Sequence, residues 1–110
     1  MNVNFRQALK TLSGDEIKEG DAPVTLGAIA INALLAAYPS EQPTGDEKVQ
    51  RWRLAQKIFA AGESLDIRSE DVVLIKRLVG IAYAPLIVGQ AFDMLEYGST
   101  ARISSPYQSV

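Results

Sequence analysis

Residues 24–38 read VTLGAIAINALLAAY, and this stretch decides the fold. Between positions 26 and 38 every residue except Asn32 is apolar or glycine. Thr25 stands just before the run, where its hydroxyl can accept from a backbone N–H that has no helical partner. Pro39 stands just after it and stops a helix. The spacing predicts a helix over 25–38. A helix apolar on nearly every side is either enclosed by neighbours or turned toward a partner. With 15 residues and Asn32 inside it, the run is too short for a membrane span, which needs about 20. It also lies too far from the N-terminus to read as a signal peptide. Ala28, Ala30, Ala33, Ala36 and Ala37 are small and permit close helix approach.

Three more helices follow outward from this one. Thr44-Gly45-Asp46-Glu47 matches a capping box and opens a helix over 45–61, which Gly62 ends. Val49, Trp52, Ala55 and Phe59 share one face of it, and Leu54, Ile58 and Ala61 form a second apolar strip. Ser69 is expected to cap a third helix over 70–83, with Glu70 and Asp71 in the first turn where the helix dipole favours them. Val72, Val73, Leu74, Ile75, Leu78, Val79, Ile81 and Ala82 cover most of that helix, which predicts a central position. Pro85 breaks the chain and opens a fourth helix over 85–97. Its broad apolar stripe runs from Ile87 to Leu95, with Gly89, Gln90, Asp93 and Glu96 on the other side.

The flanks are different. Ser13-Gly14-Asp15 and Gly20-Asp21-Ala22-Pro23 are turn signals in a polar arm. That arm reads either as a short β-hairpin around Gly14 or as an irregular helix over 5–12. Residues 63–68 alternate polar and apolar, which predicts a short extended piece pairing with the arm. From Gly98 the chain is polar and Ser-rich, as in a flexible tail. The fold expected is mainly α: a compact four-helix domain with an N-terminal arm or short β-hairpin. The expected organisation is an arm over 1–23, a helical domain over 24–97 and a tail over 98–110.

The 110 residues include no His and no Cys. That removes Ser-His and Cys-His nucleophilic sites, thiolate chemistry, zinc fingers and haem held by His or Cys. Net charge is −2, whereas a general nucleic-acid binder is usually basic. Asp93 and Glu96 lie three apart on the fourth helix, but no nucleophile or oxyanion donor accompanies them, so they read as a solvated face. Asp15, Glu16, Glu19 and Asp21 lack the ligand order of a calcium loop and read as a solubilising turn. Gly80 and Gly89 lie inside helical patterns, where close packing of a neighbouring helix would account for them. No catalytic residue, metal ligand or cofactor site is expected.

Lys48, Arg51, Arg53 and Lys57 make the second helix locally basic, with four basic and two acidic residues between 46 and 58. One reading is a phosphate-contacting helix with Trp52 as a stacking aromatic. The other places Trp52 in the core with Val49 and Phe59, and the basic groups on the outside. The apolar excess of the first and third helices points to an interface, unless the arm and the other helices cover both. Arg51, Arg53, Lys57, Leu34, Leu35 and Tyr38 are the candidate partner-binding residues.

The segments Val24-Thr25-Leu26-Gly27, Asn32-Ala33-Leu34-Leu35, residues 51–58 (RWRLAQKI), Leu74-Ile75-Lys76 and residues 85–91 (PLIVGQA) carry a resemblance. Over residues 20–97 the chain resembles small proteins encoded by tailed phages and prophages, a group without an assigned function. The resemblance implies a non-enzymatic accessory protein acting by protein–protein binding in the host cytoplasm, as an inhibitor or modulator of a host factor. Alternatives are an assembly role, as a tail assembly chaperone or minor virion component, and a nucleic-acid role for the basic face of the helix over 45–61. A homo-oligomer fits either protein-binding reading, and no membrane partner is implied.

Overall fold

The computed structural model describes residues 2–97. Four helices follow one another: α1 (Leu26–Leu35), α2 (Gly45–Ala60), α3 (Ser69–Ala82) and α4 (Pro85–Tyr97). Four two-residue strands accompany them: β1 (Asn2–Val3), β2 (Lys18–Glu19), β3 (Ala22–Pro23) and β4 (Leu65–Asp66). The mainly α, four-helix expectation holds, and the arm takes the hairpin form. The tail expected over 98–110 lies outside the described residues.

The arm turns back at Gly14, whose positive φ of 97° suits a residue without a Cβ. Thr11 N–H donates to the Asp15 carbonyl at 2.8 Å, and Ile17 N–H to the Leu9 carbonyl at 2.9 Å. A second tight hairpin pairs β2 with β3. No helix forms over 5–12, because these backbone groups are committed elsewhere. β1 runs antiparallel to β4, with Asn2 opposite Asp66 and Val3 opposite Leu65. The expected pairing of residues 63–68 with the arm is therefore present.

The arm also starts α1. A helix leaves its first N–H groups without internal partners. Here Leu26 N–H donates to the Gln7 carbonyl at 2.8 Å and Gly27 N–H to the Phe5 carbonyl at 2.7 Å. Thr25 Oγ1 accepts from Ala28 N–H at 3.2 Å, as its cap position predicts. A Cβ on Gly27 would lie 2.9 Å from the Phe5 carbonyl oxygen, so glycine lets the arm approach this closely. α1 ends at Leu35, three residues before the expected Tyr38. The Tyr38 hydroxyl donates to the Ala33 carbonyl at 2.6 Å, taking an acceptor the next helical turn would have used. Pro39 disfavours helix at Tyr38 in any case.

α1 packs against α2 and α3, and α3 also packs against α4. Leu26, Ala30, Ile75, Leu78, Val79 and Met94 are fully buried where these elements meet. Val3, Phe5 and Leu9 of the arm belong to the same core. α3 is central as expected, but not covered all round: Val73 and Ile81 stay exposed.

Several local expectations are corrected. Ser69 is not the cap of α3 but its first residue. The cap position is Arg68, whose N–H donates to Asp71 Oδ2 at 3.3 Å. Asp71 thus supplies the return half of a capping box, accepting from the cap residue's own N–H. Nothing lies within 4 Å of a Cβ placed on Gly89, and only the Phe92 ring edge, at 3.8 Å, meets one on Gly80. Close helix packing therefore does not explain either glycine. Gln90 does not face solvent: its side chain accepts from Lys10 N–H at 2.8 Å and donates to the Lys10 carbonyl at 2.6 Å. It clamps α4 to the arm.

Candidate trough between the first two helices

Thr44 and Glu47 form the capping box that starts α2: Thr44 Oγ1 accepts from Glu47 N–H at 3.1 Å, and Glu47 Oε1 accepts from Thr44 N–H at 2.9 Å. The Thr44 backbone N–H, and after it the Thr44 side chain, hold the Glu47 carboxyl below its ordinary pKa. With its start fixed, α2 presents one face inward. Leu54, Ala55 and Ile58 of that face are buried.

Arg51 is on the buried side too, at 6% exposure. Its Nη2 meets Glu41 Oε1 at 3.0 Å, and the other oxygen of Glu41 pairs with Arg77 on α3. One carboxylate in the α1–α2 loop thus holds two guanidiniums from two helices. Arg51 is therefore a tether for that loop and only an edge of any contact surface.

The expectation of a core Trp52 is overturned. Trp52 is 52% exposed and Phe59 82% exposed, while Leu35 of α1 is exposed at 56%. The stripe Val49–Trp52–Phe59 is real, since a step of seven returns to within about 20° on a helix. It faces outward because the other strip, with Leu54 and Ile58, takes the core. Trp52, Phe59, Ile31 and Leu35 line a groove of about 450 Å³, together with Ala55 and Ala60. The small side chain of Ala55 leaves space between the two aromatic ridges.

Leu35 also lines a second hollow of about 510 Å³, with Leu34, Tyr38, Gln42, Lys48 and Arg51 around it. The two depressions are distinct hollows that meet at Leu35 and succeed one another along α2 as the two halves of a trough. One half is apolar. The other carries Lys48, Arg51, Glu41 and the Tyr38 phenol. Burial raises the Tyr38 pKa, the neighbouring Tyr83 raises it further, and Arg51 partly offsets both.

Four of the expected partner-binding residues therefore meet in one place: Leu34, Leu35, Tyr38 and Arg51. Leu34 is buried at 2% exposure and contributes shape rather than surface. Arg53 and Lys57 do not join them. They lie about 100° and 140° around the helix from Trp52, and Lys57 lines a different hollow with Asp66, Glu70 and Asp71. The aromatic ridge and these two cations point different ways. In the sequence Trp52 reads only as a nucleic-acid stacker or a core residue, and Phe59 and Ile31 go unmarked as contact residues; the signal for Trp52 and Phe59 was the presence of two apolar strips on α2.

Glu96 forms an ion pair with Lys76, which also lies 5.0 Å from the Phe92 ring centre. Among the described residues no cluster of three or more acidic groups could hold a metal ion. No helix among them is long and apolar enough to cross a membrane. No protein-family model matches the chain, and no curated protein or solved structure matches it.

Proposed function

We propose that this protein is a non-enzymatic binding protein whose trough between α1 and α2 docks another protein. The observation that carries the proposal is the outward aromatic ridge, Trp52 and Phe59, beside the exposed Leu35. Aromatic side chains next to small ones are the common anchors of protein interfaces, because they remove much apolar surface from water at little entropic cost. The resemblance to tailed-phage and prophage proteins makes the reading more specific: an accessory protein in the host cytoplasm that inhibits or modulates a host factor. An assembly role uses the same surface and differs only in the partner.

The nucleic-acid reading is less well supported. Stacking on Trp52 needs a row of cations that track a phosphate backbone beside it; Arg51 is engaged by Glu41, Lys57 lines a hollow with Asp66, Glu70 and Asp71, and Arg53 is turned about 100° away, which leaves Lys48 alone on that side.

Affinity capture from host-cell and infected-cell extracts tests the proposal, with a Trp52→Ala, Phe59→Ala double variant as control. A protein retained by the wild-type chain and lost by the folded double variant is the expected result. A single host enzyme identifies a modulator, and head or tail proteins identify an assembly factor. An unchanged capture profile overturns the role of the trough, and recovery of nucleic acid overturns the protein-binding reading.

A further inference from the structure

We infer that the occupant of the trough is an amphipathic helix of the partner, seated with its apolar side chains between Trp52 and Phe59 and a carboxylate against Lys48. The inference rests on the protein-binding reading above and adds the shape and charge of the partner.

Shape comes first. The trough follows α2 from Lys48 to Ala60, a rise of about 18 Å, which matches a helix of about 12 residues. The polar half is lined in part by Ala36, Ala37, Tyr38, Glu41, Gln42 and Pro43 of the α1–α2 loop, none of the strands lines either half, and the apolar half is walled by α1 and α2 alone. An extended peptide laid there would find no strand edge to pair with, and its backbone N–H and C=O groups would be desolvated without partners. A helix satisfies those groups internally and offers only side chains. Trp52 and Phe59 are separated by about 10.5 Å along α2, the spacing of positions i and i+7 on an opposing helix.

Charge fixes the orientation. The apolar half has no charged lining residue. At the other half Glu41 has each oxygen on a different arginine, Arg51 and Arg77, and Glu47 also lies beside these two, which leaves Lys48 as the cation without a carboxylate. Glu47 is turned about 100° from Lys48 around the helix and closes the capping box. Among the described residues Lys48 has no ion-pair partner. It stands one turn beyond Trp52. A Glu or Asp three or four residues past the last apolar anchor of the partner helix reaches it.

The experiment uses the full chain and a displayed library of 14-residue helices free of Trp. Apolar residues are held at i, i+4 and i+7, and Glu, Lys and Gln are varied elsewhere. Trp52 is the only tryptophan, so its emission reports the trough directly. Enriched peptides should carry Glu opposite Lys48 and shift Trp52 emission to the blue on binding. Replacing that Glu by Lys should weaken binding about three- to tenfold, and Lys48→Glu should reverse the preference.

The inference falls if no helix is enriched, or if enriched helices are indifferent to charge at that position in both the wild type and Lys48→Glu. A salt-dependent Trp52 response to a thymidine oligonucleotide assigns the trough to nucleic acid. A blue shift on concentrating the protein alone assigns it to a second copy. Either result overturns the inference. If the double variant loses its captured protein while the charge swap has no effect, the protein-binding reading stands and only the helix assignment fails.

Discussion

On one side of α2, Leu54 and Ile58 are 4–5% exposed, while on the other Val49, Trp52 and Phe59 range from 41% to 82%; Ala55, expected on the outer stripe, is buried between them. Both strips are apolar and both repeat at helical spacing. The larger side chains are the ones left in water. Each strip is wide enough for a core, but a helix packed against one layer buries one face only. The inner strip is the one that joins the core against α1, and on the same side Arg51 pairs with Glu41, whose other oxygen holds Arg77 of α3. The difference teaches that an amphipathic pattern locates faces, and that the neighbours decide which face is inside.

The largest expected effect is on the polar member of the inner face. Glu41→Ala strands the buried Arg51 guanidinium and should lower stability by about 3–5 kcal/mol, read from urea denaturation. A loss below about 1 kcal/mol would mean that Arg51 is not a tether. Ile58→Ala should cost about 3 kcal/mol in the same measurement, as buried large-to-small changes do.

Gly27→Ala sharpens the comparison from the α1 side, because its Cβ would press on the Phe5 carbonyl and lie 3.5 Å from Ile58. A loss of about 1–3 kcal/mol is expected, with faster hydrogen exchange in the arm. Phe59→Ser on the outer face should change stability by less than about 0.5 kcal/mol. A cost comparable to that of Ile58→Ala would break the comparison and place Phe59 in a core.

The smallest effect is a matter of pH. The Tyr38 phenol is raised in the folded state, so its contribution is fully present below the unfolded tyrosine value and is lost as pH rises through the folded one. Its ionisation also removes the donor to Ala33. Tyrosinate absorbance in the wild type should therefore extend to higher pH than in Tyr38→Phe. Identical titration curves, after allowing for one fewer tyrosine, would remove Tyr38 from the α1 terminus.

Much of the local structure was legible in the residues because its causes are local. The Thr25 cap, the Thr44–Glu47 box and the Pro85 start each depend on groups within a few positions. The turn at Gly14 and the extended piece at 65–66 were legible for the same reason. The end of α1, the Asp71 cap and the Gln90 clamp were harder to read. Each is decided by which of several donors reaches an acceptor first, and Gln90 finds its partner 80 residues away.

The candidate site divides along the same line. Leu34, Leu35, Tyr38 and Arg51 were legible as a group because they flank one loop in the chain. Trp52 and Phe59 were assigned to the core because nothing in their spacing distinguishes a buried stripe from an open one.

By itself, then, the sequence determined four helices, the caps of α1 and α2, the breaks at Gly62 and Pro85, the hairpin signal and the two apolar strips of α2, since these follow from backbone chemistry and periodicity. Only the tertiary structure decided that Glu41 joins Arg51 to Arg77, and that the aromatic strip faces outward over the groove beside Leu35. Those outcomes depend on competition among distant surfaces for one small core, and in this molecule that competition left the trough open.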